Sequence, residues 1–152
     1  MPYRVALASD HAALDMRAAL AAWLREAGHN VDDLGPTADA GSVDYPDYGY
    51  RLASAVADGG ADFGVALCGS GIGISIAVNR HPGCRCALVS ESLSARLARE
   101  HNDANVLAMG ARIIGLDTAK DCLAAFLSTP FGGGRHAPRV EKLSRVQQEQ
   151  PA

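Results

Sequence analysis

The sequence predicts an α/β fold in which a five-stranded parallel sheet is covered by helices on both faces. Two observations carry this. Short apolar runs alternate along the chain with segments whose apolar residues recur at helical spacing. Those runs are mostly apolar rather than alternately polar, as strands buried on both faces are. At 152 residues, with 48% hydrophobic and 20% charged residues, the chain has the composition of one globular domain.

Arg4 to Ser9 reads as the first strand. Ala13, Met16, Leu20, Trp23 and Ala27 then recur at helical spacing until Gly28 stops the helix. A short strand around Asn30 to Leu34 leads into a polar loop from Gly35 to Asp44. The second helix begins near Pro46 and runs to Asp58, before Gly59-Gly60. Phe63 to Leu67 is the third apolar run, and a helix from Ile72 to Asn79 follows it. Cys84 to Val89 has a buried-strand pattern. Ser90 is the expected N-cap of a helix through Glu100, with Leu93 and Leu97 as its buried stripe. Asn105 to Met109 is the fifth strand, and Leu116, Ala119, Leu123 and Phe126 mark the next helix. The expected fold is therefore three-layered, α/β/α and Rossmann-like. Residues 131–152 form a C-terminal helical extension, opened by Gly132-Gly133-Gly134 and striped by Val140, Leu143 and Val146. So thin a stripe is expected to dock on a surface, such as a partner subunit, rather than to build its own core.

Composition removes several function classes. No apolar stretch approaches the ~20 residues of a membrane helix, and Met1-Pro2-Tyr3-Arg4-Val5 lacks the pattern of a secretory signal, so a cytoplasmic location is expected. A net charge of -3 argues against nucleic acid as a partner. Cys68, Cys84, Cys86 and Cys122 show neither disulfide-scaffold density nor paired zinc spacing. The last three read as small buried hydrophobes. His81, Cys84 and Cys86 have no second ligand cluster to make a metal site, and no metal or cofactor is expected.

In an open parallel sheet, ligands bind beyond the C-terminal strand ends. That selects Ser9-Asp10-His11, Cys68-Gly69-Ser70 and Ser90-Glu91. Cys68 stands directly before Gly69-Ser70-Gly71-Ile72-Gly73-Ile74-Ser75, a glycine turn that opens a helix. Bare amides at a helix N-terminus cradle anions, and their field lowers the pKa of a thiol. A dinucleotide fingerprint fails here, because its last glycine falls on Ile74 or Ile76. A P-loop would need a lysine that is absent, and a cysteine phosphatase would need arginine where Ile74 stands. His101-Asn102-Asp103 precedes the fifth strand, so its chemistry belongs at the opposite sheet edge and would reach a site through a neighbouring subunit. Taken alone, His101 reads first as a helix terminator, where a cation suits the dipole. Arg135 and Arg139, four apart, read either as a solvated basic tail or as paired phosphate donors.

Ser9-Asp10-His11, Asp44-Tyr45-Pro46, Cys68 to Ser75, His101 to Leu107 and Gly134-Arg135-His136 occur in an order that resembles the type B ribose-5-phosphate isomerases. That family also includes galactose-6-phosphate isomerase subunits, and the resemblance spans about Val5 to Val146. It implies interconversion of ribose 5-phosphate and ribulose 5-phosphate through a cis-enediolate, without metal or organic cofactor. By resemblance Cys68 is the base, assisted by Ser70 where many members carry threonine. The amides from Gly69 to Ser75, including Gly71, Ile72 and Gly73, would form the anion hole. His101 would open the furanose ring, with Asp10 and Asn102 holding hydroxyls or assisting proton movement. His11, Arg112, Arg135 and Arg139 resemble the phosphate-binding set, and Tyr45 a residue lining the pocket. The family builds each site from two subunits, which implies a homodimer or tetramer with His101, Asn102 and the arginines supplied by the partner. The rivals are a hexose 6-phosphate isomerase and a non-catalytic sugar-phosphate binder. The Gly35 to Asp44 loop and the basic tail would decide the first, and a binder has no need of Cys68 as a base.

Overall fold

The computed structural model describes residues 2–145, so Val146 lies outside the described residues. Five parallel strands, β1 (Arg4–Ser9), β2 (Asn30–Asp33), β3 (Phe63–Cys68), β4 (Cys86–Leu88) and β5 (Val106–Gly110), form one sheet in the order β2-β1-β3-β5-β4. Helices α1 (Leu14–Glu26), α2 (Tyr45–Ala57), α3 (Ile72–Asn79), α4 (Ser92–Asn102) and α5 (Leu116–Ser128) cover it, and α6 (Ala137–Ser144) follows. The α/β/α expectation holds. Among the described residues, no helix is long and apolar enough to cross a membrane.

The three central strands β1, β3 and β5 are buried on both faces, but the two faces differ in residue size. Val5, Leu7, Val65, Leu67, Leu107 and Met109 meet α1, α4 and α5. Ala6, Ala8, Ala66, Cys68 and Ala108 meet the layer of α2 and α3. Alternation is therefore of volume rather than polarity. Small residues let α2 and α3 approach closely, and Gly49 of α2 has no room for a Cβ, which would lie 2.8 Å from Ala77 Cβ. Fully buried side chains such as Leu7, Leu20 and Phe126 each contribute about 1.5–3 kcal/mol of hydrophobic stabilisation.

Four local expectations need correction. Ser90 does not cap α4; Glu91 does, its carboxylate accepting Ser94 N–H at 3.0 and 3.1 Å. Val89 N–H still bonds Ala108 O, so the chain stays paired past β4 and the helix starts later. The buried stripe of α4 is Ala95, Ala98 and Arg99, while Leu93 is 54% exposed. Small residues face α5 because the two helices pack closely, and the Arg99 guanidinium lies over the Phe63 ring at 4.8 Å. Ala27 is exposed, and α1 buries Arg17 beside Leu20, Ala21 and Leu24. Finally, β4 is a three-residue edge strand with Leu88 exposed, because it has a neighbour on one side only.

Candidate active site

The chain runs from β1 outward to β2 and returns past β1 to β3, so the crevice between β1 and β3 is where the strand order reverses. Open α/β sheets bind ligands at this point. Asp10 follows β1, Cys68 ends β3, and Asp10 N–H bonds Leu67 O at 3.2 Å, which brings the two residues side by side. A cleft of about 360 Å³ opens above them. Asp10, His11, Tyr45, Cys68, Ser70 and Arg112 contribute side chains to its wall.

Cys68 is buried, and Gly71 N–H donates to its Sγ at 3.1 Å. This bond depends on the turn geometry. Gly71 has φ 77°, and a Cβ there would lie 2.6 Å from Leu88 Cδ1 and 2.7 Å from the Met109 carbonyl carbon. No side-chain-bearing residue fits. The same turn sends Ile72 N–H to Ser70 Oγ at 3.1 Å and Ser75 N–H to Gly71 O at 3.2 Å. The amides of Gly71, Ile72 and Ser75 are thus engaged within the chain. An anion hole drawn from Gly69 through Ser75 narrows to Gly69, Ser70, Gly73 and Ile74, which have no such partner among the described residues. Ser75 instead donates its hydroxyl to Ile72 O at 2.7 Å, and Ile72 presents an exposed side chain.

The other walls are equally local in origin. Asp10 Oδ1 accepts Ala12 N–H at 2.9 Å and starts the turn before α1, leaving Oδ2 without a protein partner among the described residues. His11 Nδ1 lies 3.1 Å from Val43 N and 3.2 Å from Val43 O, a contact that ties the Gly35 to Asp44 loop to the cleft. The Tyr45 ring lies so close to Gly73 that a Cβ on Gly73 would come within 2.6 Å of it. The Arg112 guanidinium covers Gly69, where a Cβ would sit 3.3 Å from Nη1. Arg112 was expected with the arginines of a partner subunit. It lines its own chain's cleft, because Gly110 pairs with Cys68 and the chain leaves β5 at that edge.

Four expected site residues lie elsewhere. His101 and Asn102 end α4 at the opposite edge of the sheet, a distance of about five residues at ~3.3 Å each along β5. The His101 ring stacks on His136, centroids 4.3 Å apart and planes 15° from parallel. Arg135 and Arg139 are exposed on the 3-10 turn Gly134–His136 and on α6. Asn102 also lines a second hollow of about 410 Å³, with Arg80, His81, Arg85 and Leu143.

The remaining thiols face apolar surroundings. Burial pushes Cys84 up to about 11, and pushes Cys86 and Cys122 upward as well. All four cysteines are free. His81 Nδ1 accepts Gly83 N–H within its own loop, and Cys84 Sγ donates to Ala53 O of α2, so both groups have structural partners. Sequence reasoning missed Arg17, which binds Ser9 Oγ and Pro36 O, with Nε 2.9 Å from Asp33 Oδ1. Its spacing of four from Ala13 and three to Leu20, on the buried side of α1, was the available signal.

The sequence and fold are similar to those of known proteins. The ribose/galactose isomerase family matches residues 5–143. Ribose-5-phosphate isomerase B of Escherichia coli is 43% identical over 145 residues, which cover 95% of this chain and 97% of the relative. D-erythrulose-4-phosphate isomerase of Pectobacterium atrosepticum is 38% identical, over 96% of each chain. The structure of ribose-5-phosphate isomerase B from Clostridium thermocellum superposes with a TM-score of 0.93 at 44% identity, covering 96% of this chain and 98% of its own. With the match extending from β1 into α6, the chain belongs to the ribose/galactose isomerase family.

Proposed function

We propose that the protein is an aldose-ketose isomerase interconverting ribose 5-phosphate and ribulose 5-phosphate in the cytoplasm. We read it as one isomerase domain whose segment from residue 131 docks on a partner subunit, in a homodimer or tetramer with shared sites. The observation that carries this reading is the buried Cys68 thiol receiving Gly71 N–H at 3.1 Å, in a cleft also walled by Asp10, His11 and Arg112. Free thiols throughout fit a reducing compartment.

The chemistry follows from these groups. Ring opening breaks the C1–O4 bond: O4 takes a proton from the partner subunit's His101, and O1 yields its proton to Asp10, the carboxylate lining the cleft. Cys68, as thiolate, then removes the C2 proton. The C–H electron pair becomes the C1=C2 bond, and the carbonyl pair moves onto O1. Amides of Gly69, Ser70, Gly73 and Ile74 stabilise that oxyanion. The O2 proton passes to O1, with the Ser70 hydroxyl as relay, and the proton on Cys68 returns to C1. That leaves C2=O, the ketose. His11 and Arg112, with the partner subunit's Arg135 and Arg139, hold the phosphate, while the partner subunit's Asn102 holds a hydroxyl and Tyr45 closes the cleft wall.

The distance between His101 and Cys68 within one chain supports the shared site. The test is aldose to ketose conversion measured on tetrose 4-phosphates, pentose 5-phosphates and hexose 6-phosphates. Ribose 5-phosphate is expected to give the highest kcat/KM. Turnover confined to another sugar phosphate, or none at all, would overturn the reading.

A further inference from the structure

The isomerisation as described leaves His136 without a task, yet the chain makes a specific turn to place it. Gly132 N–H donates to Glu100 O at 2.9 Å, and a Cβ on Gly132 would lie 3.0 Å from that oxygen. Gly133 and Gly134 both take positive φ, 62° and 53°, where other residues are strained. His136 N–H then closes the turn on Gly133 O at 3.0 Å. The segment after α5 is thereby folded back under the last turn of α4, and it lays the His136 ring on His101 at 4.3 Å. Offset stacking at this separation is an attractive arrangement for two flat rings.

A histidine at a helix end needs such a neighbour if its ring is to hold one orientation. The His101 side chain is 36% exposed, and its polar neighbour is Glu100, with Oε1 3.9 Å from Nε2. Glu100 is itself shared with Arg96 at 3.1 Å. We propose that His136 is a positioning residue for His101, its stacked ring fixing the plane and tautomer in which the His101 imidazole meets the sugar ring. This rests on the isomerase reading above. Partial burial, then the positive charges of His101, Arg135 and Arg139, lower the pKa of His136 against the opposing pull of Glu100. The neutral form of His136 is therefore favoured in the stack.

Two variants of the full chain test the assignment. His136→Ala removes the ring, and His136→Phe keeps a flat one. In steady-state assays with ribose 5-phosphate, His136→Ala is expected to lose about ten- to a hundredfold in kcat with KM within ~twofold of wild type. His136→Phe recovers most of that loss. A raised KM at unchanged kcat would make His136 a phosphate contact and overturn the assignment, as would equal losses in both variants or none in His136→Ala. The positioning is also read without turnover, from the side-chain 15N signals of His101. One tautomer is expected in wild type and His136→Phe, and exchange-averaged tautomers in His136→Ala. Unchanged His101 signals in His136→Ala overturn the positioning role even in an active enzyme. A wild type that fails on ribose 5-phosphate overturns the isomerase reading instead, and the 15N comparison still decides the role of His136.

Discussion

At the C-terminal edge of the sheet, Cys68 and Asp10 are buried residues held by strand ends, with a backbone N–H already aimed at the sulfur. At the opposite edge, His101 rides on the last turn of a helix and is held by a stacked ring on a glycine-rich turn. The first region takes its geometry from the sheet, whose register fixes where β1, β3 and β5 end. The second takes its geometry from a short loop contact. Proton abstraction from carbon tolerates little misplacement and, on our reading, sits on the rigid edge. Ring opening and phosphate anchoring, on our reading, are delivered from the looser edge of a second copy.

The largest expected effect comes from breaking the rigid edge chemically. Cys68→Ala should lower kcat by about 10²–10⁴-fold while equilibrium binding of ribose 5-phosphate persists; full activity in this variant removes the thiol as base. Mixing inactive Cys68→Ala and His101→Ala chains sharpens the comparison further. A hybrid dimer holds one intact shared site, so randomly re-paired chains should regain up to about a quarter of wild-type activity. Confirmed hybrids without activity would put both residues in separate sites.

Stability measurements probe the same contrast more gently. Gly71→Ala forces a side chain into left-handed backbone against Leu88 and Met109, and should cost about 2–4 kcal/mol in urea unfolding. A neutral substitution there would show that the turn can rearrange. Arg17→Met leaves Ser9 Oγ and Pro36 O without their donor. With Asp33 one third exposed and able to turn to water, a loss of about 1–3 kcal/mol is expected. The smallest effect belongs to Asp62→Asn. Side-chain and then backbone hydrogen bonds from Arg4 hold the Asp62 carboxyl below the ordinary carboxylate range. Its contribution is present above that range and fades as pH falls through the lowered value. Both groups are exposed, so the difference in Tm between wild type and variant should be small at neutral pH and vanish on acidification. A difference that widened in acid would reverse the assigned direction.

Much of the architecture was legible because it is written in short-range pattern. Ile72 to Asn79 is a helix where the glycine turn predicts one, and Arg4 to Ser9 a strand where the apolar run does. Asp10, His11, Tyr45, Cys68, Ser70 and Arg112 meet in one cleft, as the strand-end rule leads one to expect for most of them. The face of α4 was misread, because a helix carrying both leucines and alanines can bury either, and the closeness of α5 selects Ala95 and Ala98. Glu91 displaced Ser90 as the cap because pairing beyond β4 delayed the helix. Neither fact is local.

By itself, the sequence determined the order of strands and helices, the glycine turn after Cys68 and the chemical types available at each strand end. These depend on torsional preferences and on periodicities spanning a few residues. Tertiary structure alone decided that Asp10 lies beside Cys68, that three of the turn's amides are spent within the chain, that Arg112 serves its own cleft and that His136 stacks on His101. Each of these joins segments distant along the chain or fixes a bond in three dimensions. Strand register and close packing set such contacts, and neither is contained in any one stretch of residues.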